Sequence, residues 1–483
     1  MIALLFAFSI LSIRRFSDLN HEILFWLALV VTSQILGFGF GVGPILSGVM
    51  LSAFFIVRIV RGSWATGREF IVQLFMALPF LLVATMPTRF LDAGRYYNQT
   101  VRWFIEGIPL GLANFDLYLI QASGAHSMEA MLTSITITGY DVLVPLVSTL
   151  LIVRSASSWD HKIPRLIALF IIYAILVQFA QTSSPDLLGI ALIIALSANG
   201  NQRIANSTLA IGAAVLPVIK LAFVPVSLLW LILFLLKNQY KCALIITAGG
   251  IFCAMKIFWV SGWLPLLGIM EVPWHIQMSD LEILSEATSG DVSGNRGSYI
   301  ISGMRWRYLD AAVIAGYLAI VLVNRKNLAR YDFIALLLTG IVALVFIPQA
   351  RFILPLVLLT LLKVSGNSIP NIHSYKHAMF ALFIGMIAIL PHYPTWINDE
   401  RVSHFLDFSG YKNIRWLVPS SNWRIETLEM ESADGSFQYH KPANDFQCFD
   451  GDFPCTTYSP DRENAELSYN EASRMFFWKL RNE

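Results

Sequence analysis

Asp92 has the residue type and the surroundings of a catalytic base. It lies in PTRFLDAGRYYNQTVRWFIEG, six residues after the end of a predicted membrane span. If the segment that follows is a helix, Tyr96, Arg102 and Trp103 lie within two turns of Asp92, as in a helix lying flat at the headgroup level. A carboxylate within hydrogen-bond reach can accept a proton from an attacking hydroxyl. The competing roles are capping of that helix for Asp92 and interfacial anchoring for Trp103.

Basic side chains that could hold a phosphate group lie in other segments. Arg351 stands in a very short connection between two predicted spans, and Lys220 stands between two prolines in LPVIKLAFVP. Arg305 precedes a predicted span, and Lys256 lies near the end of another. Cations stabilise the charge that develops on a departing phosphate. The competing roles are anchoring of a helix for Arg305 and, for Lys220, snorkelling to the membrane surface instead of facing a cavity.

The composition indicates what kind of protein must position these residues. Apolar types make up 56% of the 483 residues and charged types 14%, which is about half the charge of a soluble domain. A soluble enzyme is therefore excluded. The net charge of +2, with no basic block, excludes nucleic-acid binding, and the high apolar content excludes disorder. The sequence predicts an all-α polytopic membrane protein.

About fourteen apolar runs, with an uncertainty of about two, are candidates to cross roughly 30 Å of hydrocarbon. They are Ile2 to Ile13, Glu22 to Phe40, Val42 to Val60, Glu69 to Met86, Glu129 to Val153, Pro164 to Ala180, Pro185 to Ala198, Ser207 to Ile219, Leu221 to Leu236, Cys242 to Ser261, Tyr308 to Val323, Asp332 to Phe346, Phe352 to Leu362 and Lys376 to Ile389. The runs on either side of Lys220 are also consistent with one long broken span.

The distribution of charge predicts the sidedness. When alternate loops are assigned to the cytoplasm, 16 of the 25 basic residues before His392 fall there, as the positive-inside rule requires. We expect a transmembrane domain over 1–391, with extracytoplasmic loops 87–128 and 262–307. The tail, 392–483, holds 9 basic and 15 acidic residues and is expected to be a small soluble extracytoplasmic domain. The predicted location is a bacterial inner membrane.

The cysteines are consistent with this sidedness. Cys448 and Cys455, in QCFDGDFPC, are close enough in sequence for a disulfide in an oxidising compartment, with two unpaired thiols as the alternative. Cys242 and Cys253 lie about 16 Å apart on one predicted helix, too far to bridge. The histidines have no metal-ligand spacing, so no metal site is predicted, and assistance by a divalent metal stays open.

Several motifs together resemble a family of largely uncharacterised bacterial polytopic membrane proteins that are often met among polysaccharide genes. Its first-loop pattern is D-x-x-x-Y-H, then a Trp, then P-G-L-A-N. This chain has Asp92, Tyr96, Trp103 and PLGLAN ending at Asn114. Further matches are SGWLP from Ser261, the P-x-x-R-F run that contains Arg351, and the two tail cysteines.

That family is similar in layout to the GT-C glycosyltransferases, which take a sugar from a polyprenyl-phosphate carrier. The resemblance implies a GT-C-like fold, Asp92 as general base, and a glycan or lipid acceptor within a membrane-lipid environment. The predicted substrate-binding residues are Tyr96, Arg102, Trp103, Asn114, Asp116, Lys220, Arg305 and Arg351. Tyr97 stands where the family has His, and Asp116 and Tyr118 stand where His and Arg are expected. Asp116 is therefore either a second acid or a turn cap.

Two other functions fit the same features. An O-antigen-type polymerase or ligase also has large outer loops and a lipid-linked donor, but it relies chiefly on Arg and His. A transporter, flippase or assembly partner would carry no catalysis. Transporters often show related halves, and none is visible in this sequence, which argues mildly against that class.

Overall fold

A computed structural model describes the chain over the ranges 2–84, 97–116, 119, 122–135, 142–156, 180, 183–197, 204–261, 316–323, 325–326, 328–346, 426–443, 448, 452–456 and 465–480. The predicted spans from Pro164, Phe352 and Lys376, and the loop 262–307, lie outside these residues apart from their margins. Four candidate site residues, Asp92, Tyr96, Arg305 and Arg351, also lie outside them.

The described part before the tail is mostly helical. Its helices are α1 (Ile2–Ile13), α2 (Leu19–Gly39), α3 (Pro44–Arg61), α4 (Gly67–Ala84), α5 (Asn98–Glu106), α6 (Leu112–Phe115), α7 (Gly124–Thr133), α8 (Leu143–Ala156), α9 (Pro185–Leu196), α10 (Asn206–Ile219), α11 (Val224–Leu236), α12 (Tyr240–Ser261) and α13 (Arg330–Phe346). Residues 316–323 are also helical. A two-residue ladder pairs β1 (Arg14–Arg15) with β2 (Ser63–Trp64).

Four of these helices, α2, α3, α4 and α12, are long and apolar enough to cross a membrane. Their observed bounds differ by two or three residues at most from the predicted spans, because charged residues and Gly or Pro mark their ends. Shorter apolar helices, among them α8, α9, α10 and α11, accompany them. The prediction of a helical membrane protein is therefore confirmed at this level.

The predicted span from Glu129 to Val153 is wrong as a single helix. Its residues belong to two helices, α7 and α8, and α7 ends where the sequence TSITIT begins, a run of residues with poor helix propensity. Glu129 does not begin a membrane span. Its carboxylate accepts the backbone N–H groups of Val142, Leu143 and Val144 at 2.7–3.0 Å and so caps α8.

The helices α10 and α11 form a hairpin whose tip is Lys220. The hydroxyl of Ser227 donates to the carbonyl of Ala213 at 2.6 Å. In one continuous helix these residues would lie about 21 Å apart, so the chain folds back between them. Lys220 has extended backbone, φ −157° and ψ 133°, and a single 3₁₀ turn follows it. The two runs around Lys220 are therefore two helices, and each is too short to cross 30 Å alone.

The bundle has two chemically different ends. At the end that we call the basic end, Arg14, Arg58 and Arg154 surround the N-terminal part of α2. The hairpin also starts there, because the Asn20 side chain accepts the Ala205 N–H at 2.8 Å. Helix α12 runs parallel to α10, since the Cys242 thiol donates to the carbonyl of Asn206 and the Cys253 thiol, further along, donates to that of Pro217. The tip of the hairpin therefore lies toward the opposite end.

At the opposite end, the tail end, α5 and α6 lie across the C-terminal ends of two long helices. The Ile108 N–H donates to the carbonyl of Gly37 in α2, and the indole Nε1 of Trp259 in α12 donates to the carbonyl of Ile108 at 3.0 Å. Because Gly41 has a φ of +78° and its missing Cβ would meet the carbonyl of Ile105 at 2.5 Å, only glycine suits this close approach.

The tail adds β-structure to the predicted all-α protein. Two antiparallel hairpins pair β3 (Thr427–Glu431) with β4 (Gln438–Pro442) and β5 (Ala465–Asn470) with β6 (Met475–Leu480). The predicted disulfide Cys448–Cys455 is confirmed, and Cys242 and Cys253 are free thiols, as predicted. The tail packs on α5 and α6, where Leu110 exchanges backbone hydrogen bonds with Arg474 and Phe476.

Candidate functional site

Lys220 lies at the tip of the α10–α11 hairpin, and its side chain is buried there. Its Nζ contacts Oδ2 of Asp186 at 2.7 Å, and the two side chains are only 4% and 13% exposed. Asp186 is in the first turn of α9, directly after Pro185. The structure thus places the Lys220 amine against a carboxylate inside the protein and not at its surface.

A second buried lysine lies on α12 beside the same tip. The Lys256 amine donates to the carbonyl of Val218 at 3.0 Å and is 3% exposed as a residue. Helix α7 meets the tip from another side, because its N-cap Ser123 donates its hydroxyl to the carbonyl of Ile219. The buried tip therefore joins α7, α9, α10, α11 and α12.

His126 on α7 completes this group of side chains and is fully buried. The positive charges of Lys220 and Lys256 lie close enough to act on its imidazole. Its ring centroid lies 4.7 Å from that of Tyr97, which directly precedes α5.

The N-terminal ends of several helices also meet at this place. Asp186 lies in the first turn of α9, Ser123 caps α7, Val224 begins α11, and Tyr97 stands before α5. A helix N-terminus carries partial positive charge and unbonded N–H groups, so it favours a negatively charged group. With Lys220 nearby, this end of the bundle has the features of an anion-binding site. We call Lys220, Lys256, His126 and Asp186 the tip cluster.

Trp103 and Asp116, two predicted substrate-binding residues, contact the tail instead of the tip cluster. Trp103 is 7% exposed, and its ring centroid lies 4.7 Å from that of Phe453 and 6.1 Å from that of Phe476. Oδ2 of the buried Asp116 accepts the hydroxyl of Thr456 at 3.1 Å. These contacts make Trp103 and Asp116 part of the interface between the first loop and the tail.

The other predicted residues have simpler placements. Arg102 lies on α5 with its side chain partly exposed, and the backbone of Asn114 is in α6. The side chain of Asn114 lies outside the described residues, as do Asp92, Tyr96, Arg305 and Arg351. No cluster of metal-ligating residues occurs in the part of the chain that the structure describes.

Asp186 and His126 are site residues that the sequence analysis missed. The sequence around Asp186, SSPDLL, has the pattern of a helix N-terminus, where an acidic residue is common and suggests no further role. His126 is one of nine scattered histidines. Only the tertiary structure brings these two residues to the Lys220 tip.

Comparison with known proteins gives a family but no characterised relative. No curated protein and no solved structure matches the chain. A family that is described as Domain of unknown function (DUF8201) matches residues 45–358, well over half of the chain. The match includes the first loop and the tip cluster and ends before the tail. The chain therefore belongs to the DUF8201 family, whose function is unknown.

Proposed function

We propose that the protein is an integral membrane glycosyltransferase of GT-C type in a bacterial inner membrane. In this proposal it moves a sugar from a polyprenyl-phosphate-linked donor to a glycan or lipid acceptor on the extracytoplasmic side. Asp92 is the general base, and the tip cluster holds the phosphate of the donor.

The observation that carries the proposal is the convergence of buried cations and helix N-termini at one place. Ionisable side chains inside a membrane protein are costly, so a buried group of them is a functional candidate by default. Lys220 and Lys256 are each 3% exposed, and α7, α9 and α11 all begin beside Lys220. This arrangement suits a phosphate ester, which carries negative charge on several oxygens.

Chain length limits how far Asp92 can lie from Tyr97. The two residues are five positions apart, so their Cα atoms lie at most about 18 Å apart even in fully extended chain. Tyr97 contacts the ring of His126 in the cluster. This limit is compatible with the proposed role of Asp92 toward a sugar whose phosphate is bound at Lys220.

Two features support an extracytoplasmic site. Arg14, Arg58, Arg61 and Arg154 gather near the basic end, which the positive-inside rule assigns to the cytosol. The tail end carries the Cys448–Cys455 disulfide, as expected in an oxidising compartment. The tip cluster then faces the side where lipid-linked sugars are used.

The proposed reaction is a single displacement at the anomeric carbon. The Asp92 carboxylate takes the proton of an acceptor hydroxyl, whose oxygen attacks the anomeric carbon of the donor sugar. The bond from that carbon to the phosphate oxygen breaks, and its electron pair leaves with the phosphate. Lys220 and Lys256 stabilise this charge, and the configuration of the carbon is inverted.

The test is the Asp92→Asn variant, assayed for release of prenyl phosphate from radiolabelled lipid-linked sugars. We expect a loss of roughly 10²- to 10⁴-fold in rate, because general-base catalysis contributes about that much. Asp332→Asn, which changes an acid in the first turn of α13, is the matched control. Full activity of Asp92→Asn would contradict the assigned base.

One observation favours a lipid transporter or flippase as a second candidate. Each helix of the α10–α11 hairpin is too short to cross a membrane alone, and the extended tip carries a charged residue, as in the broken helices that bind substrates in transporters. Purified protein in vesicles separates the two functions. A transferase consumes the lipid-linked donor, whereas a transporter moves it across the bilayer unchanged.

A further inference from the structure

We propose that Asp186 is an internal counter-ion of Lys220 and that the phosphate of a prenyl-linked lipid displaces it on binding. The protein then inhibits its own site, because the Asp186 carboxylate competes with the ligand's phosphate for Lys220. This inference rests on the proposed function for the identity of the anion.

The Asp186 carboxylate contacts two features that would each attract an external anion. Its Oδ2 lies 2.7 Å from the Lys220 amine, and its position in the first turn of α9 puts the carboxylate at the positive end of a twelve-residue helix. A phosphate oxygen would be stabilised by the same two features.

The leaving group of the proposed reaction carries more negative charge than Asp186. The Asp186 carboxylate contacts the Lys220 amine through Oδ2 at 2.7 Å. Prenyl phosphate is a phosphate monoester with three terminal oxygens and a charge of roughly −1.5 to −2 at pH 7. We therefore expect the Lys220 ammonium to bind prenyl phosphate more strongly than it binds the carboxylate.

The Asp186 side chain can leave Lys220 without a rearrangement of the helices. Asp186 is the most exposed side chain of the tip cluster, at 13%, whereas the Lys220 side chain is 4% exposed and His126 is fully buried. An aspartate side chain at the first turn of a helix can swing outward by rotating about its own χ angles. Displacement then requires no movement of the hairpin.

A competing role and a purely structural role of Asp186 predict opposite effects of Asp186→Asn on the affinity for phosphate. If Asp186 competes with the ligand, Asp186→Asn binds the phosphate more tightly. If Asp186 serves only to stabilise Lys220 and the fold, its loss weakens binding. Asp186→Glu keeps the competing charge and is expected to bind no more tightly than the wild type.

The experiment titrates farnesyl phosphate into the full-length protein in nanodiscs and measures affinity by microscale thermophoresis. We expect Asp186→Asn to bind farnesyl phosphate about tenfold more tightly than the wild type does. This factor corresponds to about 1.4 kcal/mol of binding free energy. Asp332→Asn is expected to be unchanged. Lys220→Met is expected to lose binding, and Asp186→Asn in that background does not restore it. Monodispersity and thermal melting of each variant confirm that it is folded.

Two further ligands identify the source of the anion. Farnesol lacks the phosphate and is expected not to respond to Asp186→Asn. Inorganic phosphate is expected to bind more weakly than farnesyl phosphate. The assignment to a lipid is overturned if two results occur together. Inorganic phosphate binds as tightly as farnesyl phosphate, and Asp186→Asn increases both affinities by the same factor.

Unchanged or weaker binding of farnesyl phosphate by folded Asp186→Asn overturns the inference. This result leaves the proposed function standing if the protein still consumes lipid-linked sugar in the Asp92 assay. Absence of farnesyl phosphate binding in every variant overturns the inference as well, and the donor-consumption assay then decides separately whether a transferase remains.

Discussion

The two ends of the bundle both bury charged side chains, but they use them differently. At the basic end, the fully buried Glu22 carboxylate accepts hydrogen bonds from Arg58 at 2.6 Å, from Trp26 at 2.8 Å and from Arg154. At the tail end, the Lys220 amine donates to Oδ2 of Asp186 at 2.7 Å. The basic end has one carboxylate surrounded by many donors of its own protein.

The remaining donors of the basic end are also directed at the protein itself. Arg58 donates to the backbone carbonyls of Arg14 at 2.9 Å and Leu11 at 2.7 Å, and Arg154 donates to that of Phe16. These bonds join α1, α2, α3 and α8. The tip cluster instead sits among helix N-termini, which attract an anion. Buried charged side chains therefore stabilise the packing of the helices at the basic end, and they form a candidate binding site at the tail end.

Loss of the Glu22 carboxylate is expected to destabilise the protein most. Glu22→Gln leaves two buried arginines without their counter-ion, which costs about 3 to 5 kcal/mol of stability. Thermal unfolding of the purified protein measures this loss. The control is Glu69→Gln, because the Arg15–Glu69 pair is partly exposed and its loss should cost about 1 kcal/mol or less. Equal losses of stability in the two variants would show that the buried Glu22 contacts stabilise the fold no more than the partly exposed Arg15–Glu69 pair does.

At the tail end, Lys256→Met is the substitution to compare with Glu22→Gln. Lys256→Met retains the apolar stem and removes the charge, so we expect a smaller loss of stability than for Glu22→Gln, together with weaker binding of prenyl phosphate. If Lys256→Met unfolds the protein as strongly as Glu22→Gln while binding is retained, the tip cluster is structural and the contrast between the ends fails.

An intermediate effect is expected in the tail. Replacing Cys448 and Cys455 by serine opens an eight-residue loop and costs about 2 to 3 kcal/mol of tail stability. Because the Cys455 N–H donates to Oε1 of Gln99 at 3.1 Å, the loss should reach α5. Hydrogen exchange of residues 97–111 measures it, with Cys242→Ser as control. Unchanged exchange there would show that the tail does not order the first loop.

The smallest expected effect is a dependence of tail stability on pH. Burial alone would raise the pKa of Asp434, but hydrogen bonds from Ser436, Ser468 and Ser432 outweigh it and hold the pKa below its usual value. The lowered pKa stabilises the folded tail above about pH 4, the ordinary pKa of aspartate, and this contribution is lost as the pH falls toward the folded value.

The comparison variant for this effect is Asp434→Asn. Its tail should show a weaker dependence of stability on pH between about 4 and 2, measured by hydrogen exchange of β3 to β6. An identical pH dependence in both proteins would show that another group is responsible.

The sequence predicted features that depend on local pattern. Long apolar runs with charged or glycine ends located α2, α3, α4 and α12, the prolines around Lys220 indicated the break at the hairpin tip, and the close cysteines predicted the disulfide. Each of these signals lies within a few residues of the feature itself.

Features that depend on distant contacts were beyond the sequence. Asp186 reaches Lys220 across 34 residues, and Asp116 meets Thr456 across 340. The role of Glu129 as a cap of the next helix depends on the packing of α7 against α8. Such pairings are decided by tertiary packing, and the local sequence at either partner carries no signal of the other.

The most direct test of the proposed site is a cryo-EM structure of the full-length protein in nanodiscs with a prenyl-phosphate sugar bound. Our account predicts that the phosphate lies between Lys220 and Lys256, with the Asp92 carboxylate facing the sugar in the same cavity. A phosphate bound elsewhere, or an Asp92 carboxylate that is walled off from the cavity, would contradict it.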